Sequence, residues 1–214
     1  MDLTKNMVAL MAKMRRERNG AVADSMVDRG CASGLNYGVS LPTVRKIARE
    51  LEADHDFARL LWQQDVREMR LSALYVADPQ RFIEEGEFWL SGIKDGELAE
   101  EVAFALIKKI KNFAPLFKAW CEDDRAMVRY AALLGAARHA ELSKDWCEDA
   151  MTAVGKAGDA LEEHLVAQGA VSMLAAVAEL NGDAKRRVQA LVEQLGDSHS
   201  EQFIREELAW RLEC

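Results

Sequence analysis

Helical spacing of apolar residues runs through almost the whole of this 214-residue chain. Apolar side chains recur every three to four positions, and no segment keeps the period of two that is typical of a half-buried strand. The chain has only three prolines, Pro42, Pro79 and Pro115. Each falls near the start of a predicted helix, where the missing N–H group of proline is not needed. The sequence therefore predicts an all-α fold.

Short polar connections, several with Asn-Gly or Asp-Gly steps, divide this pattern into predicted helices. Their predicted bounds are 2–18, 20–30, 41–53, 55–64, 66–77, 79–85, 87–93, 97–110, 112–121, 124–140, 144–155, 159–180, 183–196 and 200–213. Neighbouring helices joined this closely form antiparallel pairs. We expect the pairs to stack as a solenoid of helical repeats in a single domain spanning residues 1–214.

A four-residue echo is consistent with such repeats. Trp120-Cys-Glu-Asp123 recurs as Trp146-Cys-Glu-Asp149. The alternative is a chance echo in a helical chain that contains Trp and Glu. A stack of helix pairs offers an extended surface and few deep clefts, so binding of an extended partner is the expected function.

A tight turn opens directly into a basic helix within residues 36–51. Gly38 allows φ > 0, Ser40 can cap the first N–H groups, and Pro42 suits the first helical turn. Three cations lie off the apolar face of this helix: Arg45, Lys46 and Arg49. A helix start that presents cations suits phosphate, which makes these residues candidate nucleic-acid contacts. An ordinary capped surface helix is the alternative.

The net charge of −8 argues against a protein that coats nucleic acid. The charge is uneven, however, because residues 1–50 hold nine Lys and Arg against five Asp and Glu. An acidic chain with a basic N-terminal quarter can still hold a duplex along one face. No apolar run reaches the length of about 20 residues that spans a membrane. Met1–Leu10 has no signal-peptide pattern, so we expect a cytoplasmic protein.

The cysteines and histidines show no metal-ligand spacing. The four cysteines, Cys31, Cys121, Cys147 and Cys214, are far apart, and no Cys-x-x-Cys motif occurs. We expect free thiols, no bound metal and no cofactor.

Three segments carry a resemblance to a known family. They are Tyr37-Gly-Val-Ser-Leu-Pro-Thr-Val-Arg45, Leu61-Trp62 with Glu68-Met-Arg-Leu-Ser-Ala-Leu74, and Trp120 with Val128-Arg-Tyr-Ala-Ala-Leu133. In this order and spacing they resemble the AlkD-like DNA alkylation repair proteins, which are HEAT-like-repeat alkylpurine DNA glycosylases. The resemblance implies a C-shaped solenoid whose basic concave groove holds duplex DNA, and excision of N3- or N7-alkylated purines.

The resemblance also implies a pair of catalytic carboxylates. In the family the central helix begins with Trp-Asp-x-x-Asp, and the second aspartate acts at the deoxyribose. Without gaps this pattern falls on Gly96 to Glu100, so Glu97 and Glu100 replace the aspartates and Gly96 replaces the tryptophan. A carboxylate there can stabilise oxocarbenium character on the sugar or position water. The alternative is a helix start rich in acids that favour the helix dipole.

Other family features are altered in this chain. A late-helix aromatic of the lesion site falls near Met173. Trp89, Phe104 and Phe113 either rebuild the pocket or, as their spacing favours, belong to the core. A one-residue shift brings a family arginine onto Arg129.

A second basic cluster follows the central helix and consists of Lys108, Lys109 and Lys111. We expect it, with Arg129 and the cations of residues 36–51, to contact DNA phosphates, although a solvated outer face explains it equally. The sequence thus predicts a DNA alkylation repair family protein that binds duplex DNA. The sequence does not decide whether the chain is a glycosylase, and an activity of this kind is expected to be altered or weak. The alternative is a non-catalytic helical-repeat scaffold that binds a protein partner.

Overall fold

The structure is a computed structural model that describes residues 2–213. Over these residues the chain forms fourteen α-helices and two short 3₁₀ helices, without a strand. One isolated parallel bridge joins Leu35 to Val66. The all-α prediction is confirmed.

The chain separates into two compact units, Met1–Glu101 and Val102–Cys214. The first unit contains seven complete helices: α1 (Leu3–Arg16), α2 (Gly20–Asp28), α3 (Leu41–Ala48), α4 (His55–Trp62), α5 (Arg67–Val76), α6 (Pro79–Glu84) and α7 (Gly86–Leu90). The boundary lies within α8 (Gly96–Ala105). A single domain spanning residues 1–214 stays a prediction.

The second unit begins with the end of α8 and contains the remaining helices. These are the 3₁₀ helix Ile107–Lys109, α9 (Ala114–Cys121), α10 (Ala126–Ala136), the 3₁₀ helix Lys144–Trp146, α11 (Cys147–Val154), α12 (Ala160–Leu180), α13 (Gly182–Glu193) and α14 (His199–Glu213). The long helix α12 packs against α10, α11, α13 and α14. In the first unit, α5 packs against α3 and α4.

Local signals set the helix starts as the sequence predicts. The prolines Pro42, Pro79 and Pro115 lie in the first turns of α3, α6 and α9. The Ser40 side chain accepts a hydrogen bond from the backbone N–H of Thr43 and caps α3. Such caps satisfy N–H groups that have no partner within the helix.

The helix predicted at 97–110 is shorter in the structure. Helix α8 ends at Ala105, and a 3₁₀ turn follows at Ile107–Lys109. The reason is packing, because Leu106, Ile107 and Ile110 are all buried. Ile107 packs so closely on α10 that a Cβ at Gly135 would lie 2.5 Å from Ile107 Cγ2.

Each unit has an aromatic core. In the first unit Trp89 is fully buried, and its ring contacts the rings of His55, Trp62, Phe82 and Phe88. Burial of large aromatic rings supplies much of the apolar stabilisation of a domain of this size.

In the second unit Phe113 is the centre of the aromatic core. Trp120 and Trp146 both pack edge-on against it, with ring centroids 6.1 and 6.0 Å away. The Trp-Cys echo therefore places two tryptophans on one phenylalanine. The cysteines that follow, Cys121 and Cys147, are both free and buried. Cys214 lies outside the described residues.

None of the helices in the described part of the chain combines the length and the apolar character that crossing a membrane requires.

Candidate nucleic-acid interface

The turn before α3 requires glycine at position 38. Gly38 has φ +69, and its N–H donates to Asn36 Oδ1 over 2.7 Å. A Cβ at this position would lie 2.0 Å from the Asn19 carbonyl oxygen. The predicted positive φ of Gly38 is confirmed, and the turn directs the chain into α3 with its cations.

A buried ion pair on α5 fastens this turn. The Glu68 carboxylate accepts hydrogen bonds from the backbone N–H groups of Tyr37 and Val39 at 3.1 and 3.2 Å. Arg67 Nη1 donates to the Val39 carbonyl oxygen at 2.8 Å and to Glu68 at 3.0 Å. Arg67 is 1% exposed and Glu68 is fully buried. The start of α3 is thus held by buried, charged hydrogen bonds.

The same Arg67 side chain binds Glu97 on α8. Arg67 Nε and Nη2 donate to the two carboxylate oxygens of Glu97, each at 2.5 Å. Burial lowers the pKa of Arg67, but its hydrogen bonds to Glu97 and Glu68 outweigh that effect and raise the pKa overall. One of the two predicted catalytic carboxylates is therefore already engaged by a cation.

A second ion pair joins α3 to α8. Arg45 Nε donates to Glu101 Oε2 at 3.2 Å, Arg45 Nη2 donates to Glu101 Oε1, and Tyr75 Oη donates to Glu101 Oε2. The Glu101 side chain is fully buried, whereas 34% of the Arg45 side chain is exposed. The hydrogen bond to Glu101 raises the pKa of Arg45 above its usual value. Burial, and then the hydrogen bond to Glu101, raise the pKa of Tyr75 to about 12.

Three carboxylates share one side of α8 because Glu97, Glu100 and Glu101 are three and four residues apart. Arg67 holds Glu97, and Arg45 with Tyr75 holds Glu101. Glu100 is partly exposed. Its catalytic role stays a prediction, as does that of Glu97.

The two other predicted cations of the first unit lie at the surface. Lys46 and Arg49 are both exposed, and no carboxylate among the described residues pairs with either. The Arg49 guanidinium lies over the Tyr75 ring, 5.7 Å from its centroid. With Arg45 these side chains form what we call the α3 cation group: Arg45, Lys46 and Arg49.

The predicted lysine cluster of the second unit is also exposed. Lys108 and Lys109 lie in the 3₁₀ turn, and Lys111 follows it. Within residues 2–213 no ion-pair partner of Lys108 or Lys111 occurs. The backbone then turns at Asn112, which has φ 54. The three lysines thus lie at the surface just before α9.

Arg129 lies in a different environment from these lysines. It is 1% exposed, and its guanidinium donates to the carbonyl oxygens of Asp123, Asp124 and Ala157 at 2.9, 2.8 and 3.4 Å. Burial lowers its pKa. Arg129 joins two loops in this structure, and its contact with phosphate stays a prediction.

The aromatic residues considered for a rebuilt pocket belong mainly to the core. Trp89 and Phe113 are fully buried, which confirms the core interpretation of their spacing. Phe104 is partly exposed, and the Arg138 guanidinium lies 4.3 Å from its ring centroid. Met173, at the position of the late-helix aromatic, is fully buried.

The sequence did not identify Tyr75, Glu101 or Arg67 as site residues. Glu101 lies four residues after Glu97, so its place on the same helix side was predictable. Its pairing with Arg45, 56 residues earlier in the chain, was not. Among the described residues no group of three or more His, Cys, Asp or Glu side chains could hold a metal ion.

Comparisons with known proteins agree with this fold. A comparison with curated proteins finds no significant match. A solved structure of a protein from a family described as related to the HEAT-like repeat DNA glycosylases, with affinity for branched DNA structures, has a TM-score of 0.70 to this chain. The two are 14% identical, and the match covers 99% of this chain and 96% of that chain.

The fold of the chain is thus that of HEAT-like helical repeats. A family model described as DNA alkylation repair enzyme matches residues 10–213. This match confirms the resemblance noted from the sequence, and the chain belongs to the DNA alkylation repair enzyme family.

Proposed function

We propose that the chain binds the phosphate backbone of duplex DNA through cations of each unit. The contacts are the α3 cation group in the first unit and, in the second, Lys108, Lys109, Lys111 and Arg129. One observation carries the proposal. Four exposed cations form no ion pair with a described carboxylate, namely Lys46, Arg49, Lys108 and Lys111. Membership of the DNA alkylation repair enzyme family supports it.

The net charge of the chain is −8, and several other surface cations are neutralised, as in the pairs Lys13–Glu50 at 3.3 Å and Arg81–Asp56 at 3.1 Å. A cation without a nearby carboxylate keeps its full attraction for an anion, whereas a paired cation must first give up its partner. Phosphate is the anion that a DNA repair protein meets at high density.

The test is the affinity for a fluorescein-labelled 20-base-pair duplex, measured by anisotropy between 50 and 200 mM salt. Four phosphate contacts would lower the affinity about a hundredfold over this range, because each contact releases condensed counterions. Absence of binding at 50 mM salt, or binding that ignores salt, would reject the proposal. A helical-repeat scaffold for a protein partner would then be the better account.

We further propose that Glu100 is the carboxylate of a glycosylase with altered or weak activity. Glu101 is fully buried, whereas Glu97 and Glu100 are both partly exposed, and Arg67 holds both carboxylate oxygens of Glu97. A carboxylate that a sugar can approach is able to stabilise an oxocarbenium-like transition state, while a buried one is not. Glu97 then acts in the pair by position rather than by direct contact.

This second proposal is tested by release of 7-methylguanine from methylated duplex DNA. The wild-type chain is compared with Glu100→Gln, which keeps size and polarity but removes the charge. We expect the variant to lose about a hundredfold or more in rate, as when a transition-state stabiliser is removed. Equal release by both chains would exclude Glu100 from the mechanism, and no release by either would exclude glycosylase activity on this base.

A further inference from the structure

Arg45 and Arg49 lie one helical turn apart, at the end of α3, and each is held by a different group of the first unit. Arg45 is held by Glu101. Arg49 lies over the ring of Tyr75. The Tyr75 hydroxyl in turn donates to Glu101, so the four side chains form one connected cluster.

Glu101 fixes the orientation of the Arg45 guanidinium. The Glu101 carboxylate accepts hydrogen bonds from Nε and Nη2, which lie on one edge of the Arg45 guanidinium. The N–H groups of Nη1 do not take part in this ion pair. A third of the Arg45 side chain is exposed, although Glu101 itself is fully buried. A planar guanidinium held on one edge can still offer the opposite edge to an oxyanion.

Both the ring and the hydroxyl of Tyr75 make contacts within this cluster. The Arg49 guanidinium lies over the Tyr75 ring. The Tyr75 hydroxyl keeps its proton far above neutral pH, because the pKa of Tyr75 is raised to about 12. It therefore stays a hydrogen-bond donor to Glu101 at any pH at which the protein would meet DNA. The cluster contains two guanidinium groups and one carboxylate, so it remains positive.

We propose that Arg45 and Arg49 form a two-arginine clamp for one DNA backbone phosphate, and that Glu101 and Tyr75 are its positioning residues. The clamp rests on the proposed DNA binding and specifies one contact within it. Side chains already held in place lose less conformational freedom when they bind, which raises the affinity without adding charge. If the ion pair between Arg45 and Glu101 were only structural, it would not explain why Arg49 lies in the same cluster. No described carboxylate neutralises Arg49.

The first test is a double-mutant cycle between Arg49 and Tyr75, with the duplex DNA affinity of the full chain as the readout. Tyr75→Leu changes no charge, yet we expect it to weaken binding about two- to fivefold, the size of a surface cation–π contact. Arg49→Ala should also reduce the slope of log affinity against log salt by up to about 0.9. In the Arg49→Ala background, Tyr75→Leu should weaken binding less than it does in the wild-type chain.

The second test asks whether Glu101→Gln tightens or weakens DNA binding. Glu101→Gln removes a negative charge near DNA, so simple Coulomb attraction predicts tighter binding. The clamp predicts weaker binding, because Arg45 loses its two-point support. It also predicts that Glu101→Gln no longer weakens binding when Arg45→Ala is already present. Thermal unfolding of each variant separates these effects from loss of the fold.

Arg59→Ala is the matched control, because Arg59 also lies on an aromatic ring of the first unit. Its guanidinium is 4.6 Å from the Phe88 centroid, but Glu85 neutralises it at 2.7 Å. We expect its removal to leave DNA affinity unchanged.

The outcomes separate the clamp from the function on which it rests. Salt-dependent DNA binding with additive losses from Arg49→Ala and Tyr75→Leu, or tighter binding by Glu101→Gln, overturns the clamp and leaves the proposed function standing. Absence of DNA binding by the wild-type chain overturns both.

Discussion

Arg67 holds both carboxylate oxygens of Glu97 at 2.5 Å, and the same guanidinium donates to buried Glu68 at 3.0 Å. One arginine thus joins the turn before α3, helix α5 and helix α8. This arrangement places Glu97 in an ion network with Arg67 and Glu68, and the catalytic roles of Glu97 and Glu100 stay predictions.

Glu97→Gln should affect folding more than chemistry. The Glu97 side chain is 31% exposed, so part of the ion pair is screened by water. We expect a loss of about 1–2 kcal/mol in the free energy of unfolding, measured with urea. Any base release per folded molecule should fall less than in Glu100→Gln. A greater loss of base release in Glu97→Gln would reverse these roles.

Arg67→Met should be among the most destabilising single changes in the first unit. It leaves the fully buried Glu68 carboxylate without its cation, and breaking one side of a buried pair costs about 3–5 kcal/mol. Urea unfolding followed by circular dichroism measures the change. Arg186→Met is the control, because the Arg186–Asp183 pair is exposed and worth about 0–1 kcal/mol. Equal losses in the two variants would contradict the buried network.

Gly38→Ala and Gly30→Ala test the turn before α3. Both glycines have positive φ, but a Cβ at Gly38 would meet the Asn19 carbonyl oxygen, whereas a Cβ at Gly30 meets nothing within 4 Å. The left-handed conformation alone costs a non-glycine residue about 1–2 kcal/mol. We expect Gly38→Ala to lower the melting temperature clearly more than Gly30→Ala, and a smaller drop at Gly38 would show that the turn is not as described.

Acid should destabilise the second unit partly through Asp123. The hydrogen bond from the Arg125 side chain holds the pKa of Asp123 below its ordinary value. The unfolded chain therefore binds the proton more readily, so this stabilisation is present above the unfolded pKa of about 3.9 and is lost as pH falls through the lower folded pKa. Asp123→Asn should show a smaller loss of unfolding free energy between pH 6 and pH 3 than the wild type.

Asp28→Asn is the control for that experiment, because Asp28 is exposed at the end of α2. It should retain the pH dependence of the wild-type chain. An unchanged pH dependence in Asp123→Asn would remove Asp123 from the acid response.

The sequence predicted those parts of the fold that local chemistry determines. Ser40 and Pro42 fix the start of α3 through a cap and a preset φ, so their effect was readable from neighbouring residues. The end of α8 was not, because Ile107, just after that end, is buried and packs near Gly135, which is distant in sequence. Tertiary packing, rather than helix propensity, ends that helix.

The candidate site was predictable to a similar degree. The exposure of Lys46 and Lys108 follows from their place off the apolar face of the pattern. The burial of Arg129 does not, because it depends on carbonyl groups in two loops, at Asp123 and Ala157. Ion pairs between residues far apart in sequence, such as Arg45 with Glu101, become visible only in the folded chain.

The most direct test of the central claim compares two charge reversals of equal size. Lys46→Glu with Arg49→Glu changes the α3 cation group, whereas Lys5→Glu with Lys94→Glu changes two exposed cations elsewhere in the first unit. Affinity for duplex DNA at 50 mM salt is measured for both. We predict at least a tenfold loss for the first pair and little change for the second, since only the first pair belongs to the proposed phosphate contacts. Equal losses, or none in the first pair, would contradict the claim that this chain holds DNA through the cations of α3.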